Sequence, residues 1–309
     1  MSLRLAVVGV GHLGRHHARI LSSMPGVELA AVVDTNKARA EEIAASHRTA
    51  PFTNAREIAG LVDAVTIAVP TEKHRDIALP FLEAGVPVLV EKPMARSLPE
   101  ADELIAAAAR RNTVLAVGHT ERFNPAVTAA RPQLSDPRFI EVHRLGTFPE
   151  RSLDIDVVFD LMIHDLDVVL SLVKSDVDAI EAVGVPVLTG RVDIANARVK
   201  FENGCIANLT ASRISRDRVR KIRFFQPAAY LSIDYAAQKV EMWRLVKTSG
   251  AAPSIQGGDL EVVGDEPLRL ELADFVEAAR TGRRPAVTGE DGRRALALAQ
   301  RITDKMAQS

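Results

Sequence analysis

Three glycines directly after the first apolar run of the chain constrain its fold more than any other feature of the sequence. Residues 5–8 are apolar and rich in valine, which predicts a strand, and Gly9, Gly11 and Gly14 lead from it into a predicted helix over residues 12–24. In such a turn the first glycine allows a tight bend, the second lets a phosphate approach the backbone, and the third lets the helix pack closely on the strand. The spacing therefore predicts a dinucleotide-binding turn; the alternative is an incidental glycine turn in another α/β fold.

An acidic residue twenty positions after Gly14 supports this interpretation. Asp34 follows the predicted strand over residues 29–33, where a carboxylate can accept both ribose hydroxyls of an adenosine and repel a 2′-phosphate. NAD is therefore favoured over NADP, although Arg39 lies near enough in sequence to offset that preference. The phosphates would face the N–H groups at the start of the first helix. The predicted cofactor contacts are Gly9, Gly11, His12, Leu13, Gly14, Asp34, Thr35, Arg39, Val69, Pro70, Thr71, His74, Glu91 and Lys92.

Strands and helices alternate through the first part of the chain. Apolar runs predict strands over residues 5–8, 29–33, 64–69, 86–90 and 114–117, and amphipathic segments predict helices over residues 12–24, 36–46 and 72–84. A further helix begins at Ser97, because Ser97 and Glu100 have the spacing of a capping box and Pro99 suits a first turn. This alternation predicts a doubly wound parallel sheet, a Rossmann-type α/β domain over residues 1–120.

The pattern changes beyond residue 124. One helix is predicted over residues 159–173, followed by short strands over residues 199–201, 206–209, 222–225, 230–233 and 240–245. Asn203 and Gly204 lie between two of these strands and predict a two-residue hairpin. Residues 250–258 read as a flexible loop, and two helices over residues 268–280 and 289–306 close the chain. We expect a second, α+β domain over residues 121–309 with a mostly antiparallel sheet, whose closing helices are free to pack back on the first domain.

Composition excludes several classes of protein. Over 309 residues the formal net charge is −1, which argues against a dedicated nucleic-acid binder. The single cysteine, Cys205, allows no intramolecular disulfide and fits a reducing cytoplasm. We expect no signal peptide and no membrane span. We also expect no metal site, since the histidines are not spaced like ligands. An open antiparallel sheet with an exposed face favours a homodimer or homotetramer.

Two further motifs connect the chain to a known family. Glu91, Lys92 and Pro93 directly follow a predicted strand, and ligands of open α/β sheets collect at the carboxyl ends of strands. Together with the glycine turn and the spacing Asp160-x-x-x-His164, this sequence resembles the glucose–fructose oxidoreductase, inositol dehydrogenase and rhizopine catabolism family, Gfo/Idh/MocA. The resemblance covers essentially the whole chain, because the order of the domains and the closing helices also fit.

The resemblance implies roles for three side chains. Lys92 would lie near the reacting hydroxyl and lower its pKa, His164 would be the general base that takes its proton, and Asp160 would hold that histidine. Asp160 and His164 are four residues apart on a predicted helix, so both can face one cleft. Alternatively, Lys92 is a surface lysine, and Asp160 and His164 form a structural hydrogen-bonded pair. Asp165 and Asp167 are interpreted as structural or solvated, and His16 and His17 as surface or interface groups.

Two segments narrow the resemblance. Residues 118–125 and 151–158 are similar to the branch that oxidises the 3-hydroxyl of UDP-N-acetylhexosamines and feeds lipid A synthesis. One departure lies in the second segment, because many members carry a glycine pair where Val157 and Val158 stand here. This difference would reshape the substrate pocket and leave the chemistry unchanged. His119, in the first segment, would touch the substrate or be structural.

A nucleotide-sugar substrate needs cations for its diphosphate. A basic run comprises Arg213, Arg216, Arg218, Arg220, Lys221 and Arg223, and guanidinium groups suit bidentate contacts with phosphate. Arg122, Asn124 and Arg213 are the predicted substrate contacts. Alternatively, the basic run forms a solvated strand face or an oligomer contact. Arg122 and Asn124 would alternatively stabilise the junction between the domains.

The sequence thus predicts an NAD-dependent oxidoreductase that acts on a secondary hydroxyl of a sugar, with a small-molecule sugar or nucleotide sugar as its partner. Two alternatives remain. The first is the same chemistry on a free sugar or inositol. The second is a non-catalytic NAD-binding sensor of the same fold, against which the combination of Lys92, Asp160 and His164 argues.

Overall fold

The computed structural model describes residues 2–148, 155–247 and 252–308. The chain forms two compact units, one of Met1–Thr120 with Leu268–Leu296 and the other of Glu121–Pro267 with Ala297–Ser309. Residues 151–154, the first half of the similar segment 151–158, lie outside the described residues, as do residues 250 and 251 of the predicted loop.

A six-stranded parallel sheet forms the centre of the first unit. Its strands are β1 Leu3–Val8, β2 Val27–Val33, β3 Ala50–Phe52, β4 Ala64–Ile67, β5 Val88–Glu91 and β6 Leu115–Gly118. The order β3-β2-β1-β4-β5-β6 is that of a doubly wound Rossmann fold, as the alternation of elements predicts. Its switch point lies between β1 and β4, where Leu5 stands opposite Leu29 on one side and Ala64 on the other.

Four helices follow strands of this sheet: α1 Gly14–Ser23, α2 Lys37–His47, α3 His74–Glu83 and α4 Leu98–Arg111. The side chain of Asn36 caps α2 by accepting from the N–H of Arg39, and Ser97 caps α4 by accepting from the N–H of Glu100. Two helices begin later than the sequence predicts. The residues before α1 form the glycine turn, and those before α3 form a short 3₁₀ turn over Thr71–Lys73.

Two helices close the chain, α7 Pro267–Thr281 and α8 Gly289–Met306, and residues 268–296 belong to the first unit. The sequence already allows the closing helices to pack back in this way. Burial accounts for the placement of α7, because its Leu272 and Phe275 lie in the same apolar core as Leu5, Leu21 and Leu89. After α7, the N–H of Val117 donates to the carbonyl of Val287, which adds a backbone contact to β6.

An eight-stranded sheet forms the second unit, in the order β14-β13-β12-β11-β7-β10-β9-β8. Its strands are β7 Phe139–Leu145, β8 Val177–Val185, β9 Ile194–Phe201, β10 Ile206–Ser212, β11 Val219–Gln226, β12 Ala229–Asp234, β13 Lys239–Val246 and β14 Ser254–Asp259. All neighbours are antiparallel except β7 and β10, which confirms the mostly antiparallel prediction. The unit also contains α5 Pro125–Ala130 and α6 Ile163–Leu172.

Two local predictions in this unit are wrong. The β9–β10 connection is a three-residue loop over residues 202–204, because the N–H of Phe201 donates to the carbonyl of Cys205 and only Gly204 has a positive φ, of 83°. A two-residue type I′ hairpin would also need a positive φ at Asn203. The predicted flexible loop over residues 250–258 contains most of β14, which pairs with β13. Gly257 permits this pairing, because a Cβ there would lie 2.0 Å from the carbonyl oxygen of Met242.

Candidate active site

The glycine turn at the end of β1 has the shape that a pyrophosphate requires. A Cβ on Gly14 would lie 1.7 Å from the carbonyl oxygen of Gly9, so only glycine allows α1 to start so close to the strand. At Gly11 a Cβ would meet only the Arg39 guanidinium, at 3.8 Å, which leaves the backbone open on that side. An open backbone next to the N–H groups of a helix start is the donor arrangement that suits a phosphate anion, so the turn fits a dinucleotide.

Asp34 ties this turn to the second βα connection. Its carboxylate accepts from the N–H of Val10 at 3.1 Å and from the N–H of Asn36 at 2.9 Å, and Nη1 of Arg39 lies 3.4 Å away. The carboxylate therefore orders the glycine turn and the start of the second βα connection. Of the other predicted cofactor contacts, His12, Leu13, Thr35 and Pro70 are exposed, and Val69 and Thr71 are half-buried.

Lys92 follows β5 directly and is half-buried. The carboxylate of Glu91 beneath it is only 4% exposed. It accepts from the N–H of Lys92 at 3.2 Å, and its other oxygen lies 3.1 Å from Nε2 of His17. His17 is completely buried, so its interpretation as a surface or interface group is wrong. The sequence gives no sign of this, since His17 on α1 meets Glu91 from 74 residues away.

His74, at the start of α3, is also buried, at 1% exposed. Its Nδ1 lies 2.9 Å from the carbonyl oxygen of Pro93 and its Nε2 lies 2.9 Å from that of Val69. Burial lowers the pKa of His74 and outweighs the two carbonyls and the Glu91 carboxylate, which raise it. Both ring nitrogens of His74 thus contact the protein backbone, as both oxygens of Glu91 contact protein groups.

In the second unit, the segment that carries Asp160 begins with a π turn. Residues Val158–Met162 form this turn, in which the N–H of Ile163 bonds to the carbonyl of Val158, and α6 continues from Ile163. The expected α-helix over residues 159–173 is thus regular only in its second part. Asp160 and His164 are both half-buried, and their spacing is close to one turn in either geometry. Such π turns are frequent at functional sites.

Two buried ion pairs hold α6 beside His164. Arg144 of β7 donates to both carboxylate oxygens of Asp165, at 2.6 and 3.0 Å, and to Glu121 at 3.1 Å. Arg122 donates to both oxygens of Asp167, at 2.7 and 2.8 Å. Burial acts to lower the pKa of Arg144, but the carboxylates of Asp165 and Glu121 outweigh it and raise the pKa, so the guanidinium stays charged. Asp165 and Asp167 are therefore structural and not solvated.

Two of the predicted substrate contacts, Asn124 and Arg213, are buried in the second unit. Asn124 is buried, caps α5 through the N–H of Ala126, and donates to the carbonyl of Tyr235 at 3.1 Å. Arg213 is 2% exposed, donates to the carbonyl of Val192 at 2.9 Å, and contacts the carbonyl of Ile155. This geometry favours structural roles for Asn124 and Arg213. The exposed members of the basic run are Arg216, Arg218 and Arg220.

Arg213 also pairs with an acidic residue that no motif in the sequence indicates. Its Nε lies 3.1 Å from Asp193, which is completely buried in the β8–β9 connection. The carboxylate of Asp193 accepts from the N–H groups of Val187, Leu188 and Thr189, at 2.7 to 2.9 Å. Burial raises the pKa of Asp193, but these donors outweigh it and lower the pKa from 3.8 to about 2. Asp193 and Arg213 thereby anchor residues 187–189 and Ile155, just before the π turn.

Comparisons with known proteins agree with this architecture. Residues 3–119 match the family described as "Oxidoreductase family, NAD-binding Rossmann fold", and residues 128–226 match the "GFO/IDH/MocA C-terminal domain". UDP-N-acetylglucosamine 3-dehydrogenase from Acidithiobacillus ferrooxidans is 40% identical over 304 residues, which cover 97% of this chain and 96% of that protein. A solved structure of the enzyme of that name from the same organism has a TM-score of 0.93 at 37% identity, with 99% of each chain covered.

More distant relatives act on other compounds. The scyllo-inositol 2-dehydrogenase (NAD(+)) of Bacillus subtilis is 28% identical over 309 residues, which cover 94% of this chain and 90% of that protein. A levoglucosan dehydrogenase solved with NADH shares the fold, with a TM-score of 0.88 at 18% identity, 100% of this chain and 98% of that one being covered. Among the described residues, no helix has the length and apolar character to cross a membrane. This chain belongs to the Gfo/Idh/MocA family and is an NAD-binding oxidoreductase.

Proposed function

We propose that this chain oxidises the 3-hydroxyl of a UDP-N-acetylhexosamine to a 3-keto sugar, with NAD as the hydride acceptor. The observation that carries the proposal is the 40% identity to a UDP-N-acetylglucosamine 3-dehydrogenase over nearly the full length of both chains. The inositol dehydrogenases among the relatives are less similar, which makes a nucleotide sugar the better candidate than a free polyol.

Three side chains would carry the chemistry. Lys92 would donate a hydrogen bond to the reacting hydroxyl oxygen and stabilise the negative charge that develops there as the proton leaves. His164 would accept that proton, since an imidazole has an ordinary pKa of about 6.5 and suits proton transfer near neutrality. Asp160 would hold the His164 ring and favour its protonated form. NAD, when bound, supplies the nicotinamide ring that takes the hydride from the sugar carbon.

Several observations support these roles. Lys92 is half-buried at the carboxyl end of β5, the edge of an open α/β sheet at which ligands bind. His164 is half-buried at the start of α6, and the carboxylates of Asp165 and Asp167, which follow it closely, are engaged by arginines. A non-catalytic sensor would need neither a base nor a lysine in these positions.

Arg213 enters the proposal in a different role from the predicted one. Because its guanidinium contacts the carbonyls of Val192 and Ile155, we propose that it supports the segment leading to Asp160. Contact with the diphosphate is then left to exposed members of the basic run, of which Arg216 and Arg220 are the first to test. Arg122 and Asn124 likewise act by ordering the second unit.

The test is the absorbance of NADH after mixing the protein with NAD and UDP-N-acetylglucosamine, in the presence of hydroxylamine to trap the ketone. Free N-acetylglucosamine and myo-inositol are the comparison substrates. We expect a signal with the nucleotide sugar alone, lost in Lys92→Ala and His164→Ala while NADH binding by fluorescence persists. A signal with myo-inositol alone would favour the polyol alternative, and no signal with demonstrated NADH binding would favour the sensor.

We also propose that the chain forms a homodimer or homotetramer through its eight-stranded sheet. Large apolar side chains are exposed on its last strands, among them Trp243, Leu245 and Ile255. Leu245 stands opposite Ile255 in the register of β13 and β14, so the two form part of one apolar surface. Light scattering should give a mass of two or four chains, and Trp243→Lys should lower it; a wild-type monomer would contradict the proposal.

A further inference from the structure

Two buried histidines contact the residues on either side of Lys92 in the chain, His17 at the Glu91 carboxylate and His74 at the Pro93 carbonyl. We propose that His17 and His74 are positioning residues, which set the direction and the electrostatic environment of the Lys92 ammonium group. The inference rests on the proposed function, because it assigns these histidines to a lysine that acts on the substrate. His17 acts through Glu91 on the N–H of Lys92, and His74 acts on the carbonyl of the next residue, Pro93.

The side before Lys92 is fixed by the Glu91 carboxylate. One oxygen accepts from the N–H of Lys92 at 3.2 Å, and the other faces Nε2 of His17 at 3.1 Å. β6 leaves room for this carboxylate only because it has a glycine at this point, since a Cβ on Gly118 would lie 2.8 Å from the Glu91 carboxylate carbon. The carboxylate thus lies close to the backbone of Gly118, and each of its oxygens contacts a protein donor.

The partners of His17 indicate how it is protonated. Nε2 faces a carboxylate oxygen and must carry the proton to make a hydrogen bond, whereas Nδ1 has no partner among the described residues. An imidazolium would bury an unsatisfied N–H at Nδ1, so the neutral form with its proton on Nε2 fits best. A neutral donor leaves the negative charge of Glu91 in place, directly beneath Lys92.

The side after Lys92 is fixed by His74. Its ring lies between two carbonyl oxygens, that of Val69 after β4 and that of Pro93, each at 2.9 Å. The ring thus spans the ends of two neighbouring strands at the edge where Lys92 emerges. A neutral ring donates to one of these carbonyls and an imidazolium donates to both, so His74 restrains the Pro93 carbonyl whenever Nδ1 carries a proton.

A purely structural role explains this arrangement poorly. His17, Glu91 and His74 are all buried, and replacing buried polar pairs with well-packed apolar groups often costs no stability. Precise placement of a catalytic group, in contrast, depends strongly on such fixed contacts, because a displacement of about 1 Å can cost roughly a hundredfold in rate. The two histidines therefore matter more for Lys92 than for folding.

The test uses variants that remove or keep the hydrogen-bond donor. His17→Leu removes the donor at similar volume, and His17→Gln keeps an N–H near the position of Nε2. His74→Leu and His74→Asn form the second pair, in which the asparagine keeps a donor toward Pro93. His47→Leu is the matched control. His47 is a half-buried histidine on α2, and its ring forms a hydrogen bond with the hydroxyl of Ser22.

Two readouts are combined. The first is the pH titration of Lys92, followed by NMR after reductive ¹³C-methylation, with the signal assigned by its absence in Lys92→Arg. The second is kcat and KM for the nucleotide sugar. In both leucine variants we expect the Lys92 titration to shift by at least about half a pH unit. We also expect kcat to fall about tenfold or more, with NADH affinity within about twofold, and the Gln and Asn variants to recover most of the loss.

Unchanged Lys92 titration and kcat in folded leucine variants would overturn the inference, as would equal losses in the leucine and amide variants. Where a leucine variant fails to fold, alanine at the same position replaces it. A Lys92 titration and a kcat equal to those of the His47→Leu control would then overturn the inference. Failure of the proposed function has a different signature. Wild-type protein would then turn over none of the sugars, while the Lys92 titration still responded to His17 and His74.

Discussion

Arg122 donates through Nε and Nη2 to both oxygens of Asp167, three residues after His164. Both side chains of this pair are nearly buried, so its two charges depend on each other for solvation. Together with the Arg144–Asp165 pair, it fixes α6 within the second unit. Two carboxylates that follow His164 closely in the chain are therefore committed to arginines.

Removing one partner of this pair should destabilise the protein strongly. Asp167→Leu leaves the buried Arg122 guanidinium without its counter-charge, and we expect a loss of about 3–5 kcal/mol in the free energy of unfolding, measured by urea denaturation. The double variant Arg122→Leu with Asp167→Leu removes both charges and should recover a large part of that loss. Strictly additive losses would show that the two residues do not interact energetically.

The proposed base should be visible in the pH dependence of oxidation. If His164 accepts the proton of the hydroxyl, kcat/KM should rise with pH through the ionisation of one group and then level off. Lys92→Ala and His164→Ala should each lower turnover by about two to four orders of magnitude. A flat profile between about pH 5 and 9, the range that brackets the ordinary histidine pKa of about 6.5, would remove His164 from the mechanism.

Asp193 should contribute to stability only while it is ionised. Its pKa is lowered from 3.8 to about 2 in the folded chain, so its contribution is complete above pH 3.8 and is lost as the pH falls through about 2. The stability difference between wild type and Asp193→Asn should therefore be large near neutrality and shrink in acid, as measured by urea midpoints from pH 7 to pH 2.

A control separates this effect from a general response to acid. Asp178, on β8, is exposed and pairs only with Lys200 at the surface, so Asp178→Asn should change stability by less than about 1 kcal/mol. A difference for Asp193→Asn that stayed constant down to pH 2 would mean that its carboxylate contributes through packing and not through its charge.

The sequence predicts the first unit well because each of its elements carries a local signal. The strands β1, β2, β4, β5 and β6 are apolar runs, and the glycine turn and the cap at Ser97 are set by short-range rules. The strand β3 has only three residues, which is too short for a periodic pattern. In β8 the more buried positions are Ile180, Ala182 and Gly184, whereas Val183 and Val185 are exposed, so the hydrophobic residues do not follow the burial of that strand.

The site was harder to predict because its supporting contacts join distant parts of the chain. His17 meets Glu91 across 74 positions and Arg144 meets Asp165 across 21, and no spacing rule connects either pair. Lys92, Asp160 and His164 were selected from their motifs alone. Arg213 shows the limit of such reasoning, because a basic run indicates available charge but not which arginine is buried against Ile155 and Val192.

Asp34 and Arg39 should set the preference between NAD and NADP in opposite directions. The Asp34 carboxylate would repel a 2′-phosphate, whereas the half-exposed Arg39 guanidinium, 3.4 Å from it, would attract one. Asp34→Asn should lower the affinity for NADH, since Asp34 also accepts from the N–H groups of Val10 and Asn36, and should move the NADH-to-NADPH affinity ratio toward NADPH. Arg39→Leu should raise that ratio, by roughly tenfold for each 1.4 kcal/mol of NADPH binding free energy that is lost. Fluorescence titration with both reduced cofactors measures these ratios, with Lys37→Leu, an exposed cation on the same helix, as the control. An unchanged ratio in both variants would mean that the ribose of the cofactor is recognised by other groups.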